Sequence, residues 1–383
     1  MRVHPEPPDV TPFPPVVGAG DPRARTPCHK EMQMRFGIFT MPEHPPWENW
    51  TLSYDRDIAE IVKAEELGYE EYWIGEHHSG DYENVPMPEL MIAKASAVTH
   101  RIKLGPGTVN LPYHDPFMVA ERMAFLDHLT HGRLIWGYGG GGLPTDWALF
   151  DMPPEETRPR MEEAIEIINL LNSSTEPVSF KGKFWEFEDR VIQVRPYQKD
   201  PEQAIAGLTG LNSYKIAGSQ GFSALSVYFT STKAPNNVDF PDLVQQGQAL
   251  DEAAELAGRD PARARDNWRI VREVYVSGSR EQAMEEIRDG AQRSYDYLLE
   301  LGLGALMKDE PDMPDDELTL EWMVENTPWI IGSPSDCIEQ IKSLEEETGG
   351  FGVFVLNSRD WVPTDLNYRS MEMFARQVMP AFR

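Results

Sequence analysis

The sequence predicts an α/β chain folded as a (β/α)8 TIM barrel, with insertions before the fifth and eighth strands. Three observations predict it. Short runs rich in β-branched and aromatic residues alternate with amphipathic helical stretches, the rhythm of a parallel sheet with crossover helices. Eight such runs occur, whereas a six-stranded nucleotide-binding sheet would leave two strands and two long insertions unexplained. The stretch from Met34 onward, about 350 residues, is ample for a barrel with insertions.

Before the barrel, residues 1–33 hold eight prolines and no apolar period, and read as a flexible proline-rich tail to a domain spanning 34–383. Strands are expected at Met34–Thr40, Tyr72–Glu76, Ile102–Val109 and Arg133–Tyr138, then at Gln203–Leu208, Ala224–Thr230, Arg269–Val276 and Phe351–Leu356. Between them, apolar residues three and four apart mark helices: Ile58, Ile61 and Val62 before the Gly68 stop, Met161, Ile165 and Ile168, then Ala283, Ile287 and Ala291. A closing helix carries Met371, Phe374 and Val378. Residues 172–202 read as a small hairpin excursion. Residues 303–332 carry Asp309, Glu310, Asp312, Asp315, Asp316 and Glu317 without a continuous helical period, and read as a mobile lid.

Composition narrows the function. Lys and Arg number 35 against 63 Asp and Glu, a net charge of −28 that repels phosphate backbones and anionic lipid, so nucleic-acid and membrane partners are not expected. The two cysteines, Cys28 and Cys337, are too few for a disulfide scaffold or a thiolate metal site. Neither a membrane-length apolar run nor a signal-peptide layout is present, so a cytoplasmic globular protein is expected.

In a barrel of this kind chemistry sits where strands end and the next loops begin. The second strand ends on Glu76, His77 and His78, and the third runs into Asn110 and His114. All nine histidines lie at or before His131, whereas a metal-dependent barrel draws ligands from later strands too, so no metal site is expected. A strand-end histidine suits acid–base work, because its ordinary pKa of about 6.5 lets it exchange a proton near neutrality. Gly137 to Gly142 formally satisfies a dinucleotide fingerprint, but Leu143 and Pro144 follow where a helix should open. The run reads instead as backbone that lets a flat ligand come close. Gly210, Asn212 and Ser213 precede or open a helix whose free N–H groups favour an anion, with Asn212 or Ser213 as its cap.

With these residues in place, the chain resembles the bacterial luciferase-like, flavin-dependent monooxygenases. The resemblance is carried by MRFGIFT, EELGYEEYWIGEHH, RIKLGPGTVNLPYHDP, LDHLTHGRLIWGYGGG, GSPSDCIEQIKSLEEETG and MEMFARQVMP. GYEEYWIGEHHSGDYE and LGPGTVNLPYHDPFMVAERMAFLDH are most similar to the limonene monooxygenase-like branch. The resemblance implies a barrel that takes reduced FMN from a separate NAD(P)H-dependent flavin reductase. Oxygen then adds at flavin C4a, and the peroxyflavin oxygenates a small apolar substrate such as a terpene, aldehyde or ketone. FAD is a less favoured flavin. A deazaflavin-dependent hydride-transfer oxidoreductase on the same barrel is the alternative.

It further implies catalytic roles for His77, with His78 and Glu76 beside it, and flavin contacts from Gly107, Thr108, Asn110, Tyr138, Gly139, Gly140, Gly210, Asn212 and Ser213. Gly107-Thr108 falls where the family often carries a non-proline cis peptide. An arginine that grips the flavin phosphate in luciferase is replaced here by Gly140, leaving Arg158 or Arg160 as the substitute. Helices around Pro88–Val98 and Phe117–His128 imply a homodimer, as the family forms.

Overall fold

The computed structural model describes residues 33–207, 210–227, 241–304, 308 and 313–383. Residues 1–32 of the tail, Leu208 and Thr209, Tyr228 to Thr230, and Asp309, Glu310 and Asp312 lie outside the described residues.

The chain opens with β1 (Arg35–Thr40) and α1 (Trp50–Leu67). Asn49 starts that helix by accepting from the N–H groups of Thr51 and Leu52, and Gly68 stops it in the left-handed region at φ 86°. β2 (Glu71–Ile74), α2 (Pro88–Ser96), β3 (Lys103–Pro106), β4 (Val109–Asn110), α3 (Pro116–Leu129) and β5 (Trp136–Gly139) follow. Next come α4 (Pro144–Leu149), α5 (Pro154–Ser173) and the antiparallel hairpin of β6 (Val178–Lys181) and β7 (Glu186–Arg190), which is the excursion expected over 172–202. β8 (Gln203–Gly207), α6 (Asn212–Gln220), β9 (Ser223–Val227), α7 (Leu243–Leu256), α8 (Pro261–Asp266) and β10 (Arg269–Val276) carry the alternation on. It closes through α9 (Arg280–Glu300), α10 (Leu320–Asn326), β11 (Ile330–Gly332), α11 (Pro334–Thr348), β12 (Val353–Ser358) and α12 (Thr364–Met373).

Nine strands pair in the order β3-β2-β1-β12-β10-β9-β8-β5-β4, and β11 pairs with β10. Every pairing in this sheet is parallel. The path ends on β3 and β4, which are separated by Gly107 and Thr108 alone, and Leu104 of β3 bridges Leu134 just ahead of β5. The result is a nearly closed parallel barrel wrapped by helices.

Side chains alternate across each strand. Phe39, Trp73, Leu225, Val271 and Val355 fill the inside, while Phe36, Ile38, Tyr72, Trp136 and Tyr138 face the helices. At the N-terminal end of the barrel Arg269 is fully buried. It donates Nε and Nη2 to Glu71 at 2.7 Å each and Nη2 to Glu202 at 2.6 Å. Glu202 also takes Lys103 at 2.6 Å. Burial opposes ionisation of Glu202, yet Arg269 and Lys103 hold its pKa at about 2. This plug closes the end away from the chemistry.

Several expectations need correction. The third strand is not continuous over 102–109: it breaks at the cis Gly107–Thr108 peptide. The fourth begins at Trp136 rather than Arg133. A helix, α4, does open at Pro144 after the glycine run, since proline is well placed at the first helical position. From Asp315 the expected lid is built structure. Leu318, Leu320, Met323, Trp329 and Ile331 bury against Tyr275, Ala283, Ile287 and Trp361 in a satellite core, and β11 extends the sheet beside β10. The acidic residues before it hid a short apolar pattern that only the α9 and β10 surfaces complete.

Candidate active site

The strand ends gather three groups of polar residues at one rim. The first centres on Glu76, which follows β2 and is 2% exposed. Its Oε1 lies 3.1 Å from His78 Nε2 and 3.0 Å from His114 Nε2. Its Oε2 accepts the Asn110 N–H at 3.3 Å, and its backbone carbonyl accepts Asn110 Nδ2 at 3.0 Å. Thr108 Oγ1 donates to Asn110 Oδ1 at 3.2 Å. Burial would raise the Glu76 pKa, but its bonds to His114 and His78 prevail and hold it low.

Glu76, His78 and His114 bring ligand-type atoms within 4.8 Å of one another. In this structure those atoms are joined by hydrogen bonds through Glu76 Oε1. An aromatic wall stands over it. Phe150 meets His78 edge-on at 4.8 Å and stacks on Tyr113 at 4.6 Å. The Tyr113 hydroxyl is buried with no hydrogen-bond partner among the described residues.

The second group surrounds His77, whose ring has partners different from those of His78. Its Nδ1 is 3.0 Å from Asp146 Oδ2 and its Nε2 is 3.4 Å from Glu83 Oε2. Burial alone would lower the imidazole pKa, but Glu83 and Asp146 together raise it above its ordinary value. Glu83 forms an isolated bridge with Glu43, which pairs with Arg359, and Arg359 reaches Glu273 at 3.2 Å. Sequence reading missed both Asp146 and Glu83. The pattern Pro144-Thr145-Asp146 was a signal, because a proline followed two residues later by an acid marks a helix start.

The third group lies across the glycine run. A Cβ on Gly139 would strike the Thr108 hydroxyl, whereas one on Gly140 would meet nothing nearer than Met161 Sδ at 3.9 Å. Backbone at Gly140 is thus open to a ligand. Met161 sits one turn along α5 from Arg158, and a Cβ on Gly210 would lie 3.5 Å from Arg158 Nη2. Gly210 has φ 68°, and α6 starts from Leu211 with no side-chain cap, so neither Asn212 nor Ser213 caps it and its first N–H groups stay open. Asn212 instead donates Nδ2 to Glu162 of α5, and Ser213 is the second helical residue.

Arg160 is engaged elsewhere, by Glu156 at 2.9 Å and over the Phe184 ring at 4.4 Å. Arg158 pairs with no carboxylate among the described residues and is exposed. Tyr138 does not join these groups: its side chain is fully buried on the helix-facing side of β5. Trp47 and Trp50, at the same rim, are 70% and 52% exposed.

The family described as luciferase-like monooxygenase matches residues 34–350. The 4-hydroxyprotoasukamycin monooxygenase of Streptomyces nodosus subsp. asukaensis is 37% identical over 353 residues, covering 91% of this chain and 92% of its own. Limonene 1,2-monooxygenase of Rhodococcus erythropolis is 33% identical over 347 residues, covering 91% and 86%. The oxygenase component of the flavin-dependent trigonelline monooxygenase of Acinetobacter baylyi is 25% identical, covering 91% and 96%. Among solved structures, the oxygenating constituent of 3,6-diketocamphane monooxygenase from Pseudomonas putida, a type II Baeyer–Villiger enzyme in complex with FMN, superposes with a TM-score of 0.76. It is 23% identical and covers 91% of this chain and 99% of its own.

Proposed function

The chain belongs to the luciferase-like monooxygenase family, and on that premise we propose that it is the oxygenase component of a two-component system. It receives reduced FMN from a separate NAD(P)H-dependent reductase in the cytoplasm and uses O2 to place one oxygen atom on a small apolar substrate, such as a terpene, aldehyde or ketone. In this reading β3 and β4 are one strand broken at the cis peptide, which gives eight barrel strands, and β11 belongs to the insertion before the last.

One observation carries the proposal. Neighbouring residues lead from Arg158, Gly210 and the uncapped start of α6, past Met161 and Gly140, to Thr108, and hydrogen bonds link Thr108 on to Asn110, Glu76 and His78. It offers an anion cradle at one end, open backbone in the middle and acid–base groups at the other. That order suits an elongated ligand with a phosphate tail and a flat polar ring. The unpartnered Tyr113 hydroxyl fits the same ligand as a buried donor. When bound, the flavin supplies the electrons and the activation of oxygen.

The chain's own residues bind, shield and move protons. Arg158 and the α6 N–H groups hold the phosphate. Glu76 ties Nε2 of both His78 and His114, leaving Nδ1 of each for proton exchange. His77, held between two carboxylates, is the charged acid of the site. Phe150 and Tyr113 exclude water from the histidines. Exposed Leu90, Met118, Phe125 and Leu129 on α2 and α3 form an apolar face that we assign to a homodimer contact.

The test is a substrate screen with FMN, O2, NADPH and any efficient flavin reductase, scored by addition of one oxygen atom. Product is expected with the reductase and not without it. Product-linked NADPH oxidation by the isolated chain would defeat the two-component reading.

A further inference from the structure

We propose that Asp146, His77 and Glu83 form a directional relay across the rim, in which Asp146 is the positioning residue that fixes the His77 ring and Glu83 is its proton partner. The proposal rests on the reading of His77 as the acid of the site.

The geometry is asymmetric. Asp146 is 1% exposed and anchored three ways: Oδ2 at 3.0 Å from His77 Nδ1, and Oδ1 accepting the His78 N–H at 3.1 Å and the Ser79 hydroxyl at 2.5 Å. It also sits in the first turn of α4, where the helix dipole favours a negative charge. An anion so held sets which imidazole nitrogen keeps its proton. Glu83 is placed differently. It lies farther off, at 3.4 Å from Nε2, and among the described residues no hydrogen-bond donor fixes its carboxylate in the way three fix Asp146.

The electrostatics agree. For Asp146 burial acts upward, but His77, Ser79 and the His78 N–H outweigh it and hold the carboxyl below its usual range. For Glu83 burial again acts upward, and with Glu43 it prevails over His77 and Arg359, so the carboxyl is raised. The two carboxyls flanking His77 are thus driven in opposite directions, Asp146 down by its three donors and Glu83 up by burial and Glu43.

The charged and titratable groups facing the relay are Asp146 on α4, Glu76 beside His77, Glu43 after β1 and Arg359 after β12. Tyr297 of α9 packs against Glu83 as well, and its buried hydroxyl has no side-chain partner. Trp147, the next residue after Asp146, donates Nε1–H to the Gly141 carbonyl at 3.3 Å, so the relay is tied to the glycine run by one helical turn. No atom is transferred beyond a proton, which passes between His77 Nε2 and a Glu83 carboxylate oxygen.

The experiment is titration of 15N-histidine-labelled full-length protein, wild type and variants, read at the His77 resonances. Asp146→Asn keeps an oxygen for the His78 and Ser79 donors but removes the charge. Expected is a change in the His77 tautomer and a fall in its midpoint by about one pH unit or more. Glu83→Gln should leave the tautomer in place and lower the midpoint. In turnover with reduced FMN, Asp146→Asn should lose about 100-fold or more in kcat with little change in KM, and Asp146→Glu should recover part of it. An unchanged His77 tautomer and midpoint in Asp146→Asn would overturn the proposal. So would equal tautomer shifts in Asp146→Asn and Glu83→Gln. If Asp146→Asn fails to fold, an unshifted midpoint in Glu83→Gln is itself sufficient to overturn it. Absence of any oxygenated product from wild type would defeat the functional reading while leaving the titration decisive for the relay.

Discussion

Arg158 lies against Gly210: a Cβ built on that glycine would stand 3.5 Å from the arginine Nη2, although the two belong to different strand-to-helix units. With the open start of α6 beside it, this guanidinium is the group that the proposed function assigns to the flavin phosphate. Charge-assisted hydrogen bonds contribute about 1.5–3 kcal/mol. Arg158→Ala should therefore weaken FMN binding by about tenfold or more in a fluorescence titration. Arg160→Ala should do much less, because its guanidinium serves Glu156 and Phe184. Equal losses in both variants would reassign the phosphate site.

His77→Gln should keep FMN binding and lose oxygenation by about 10²–10⁴-fold, the range for positioned acid–base groups. His77→Ala should in addition lower the melting temperature, because Asp146 and Glu83 would face each other without the imidazole between them. Product assays paired with thermal melts separate the two effects. Near-normal product from His77→Gln would move the role to His78 or His114.

Glu60 offers a stability test away from the site. Its carboxylate accepts from Tyr72 at 2.9 Å and Asn367 at 2.8 Å, and burial, aided by Asp360, pushes its pKa up to about 7. A carboxyl raised in the folded state contributes stability below its unfolded pKa and loses it as pH rises through the folded one. Wild type should thus lose up to about 3 kcal/mol relative to Glu60→Gln between pH ~4.5 and ~7. Melting temperatures of the two proteins at pH 5 and pH 8 check this. The difference should shift in favour of Glu60→Gln by several degrees at the higher pH, and a constant difference would refute the assignment.

The apolar face on α2 and α3 predicts a dimer that one charge disrupts. Phe125 is 56% exposed and shares its α3 face with Met118 and Leu129. Light scattering at micromolar concentration should give a dimer mass for wild type and a monomer mass for Phe125→Asp. A monomeric wild type would remove the dimer from the proposal.

Much of the fold was legible because its signals are local. All eight expected strand runs contain observed strand residues, since alternation and turn residues act over a few positions. The cis peptide at Gly107–Thr108 falls where the family resemblance expected it. Of the lid expected over 303–332, the part from Met313 onward packs in a satellite core for a non-local reason: the short apolar pattern of 318–331 has meaning only against the surface of α9 and β10.

The candidate site divides in the same way. The sequence by itself determined that Glu76, His77 and His78 lie close after one strand, that a glycine run lies at the end of another, and that Gly210 precedes a helix, because each is a matter of neighbours along the chain. Only the tertiary structure decided which groups meet. Asp146 reaches His77 from 69 positions away, Arg158 rather than Arg160 faces Gly210, and Tyr138 turns to the helix layer. Strand periodicity gives two faces but does not name the face that looks into a ligand cleft. Closure of the parallel sheet, which sets β5 beside β4 and α5 against the end of β8, fixes those contacts at ångström scale.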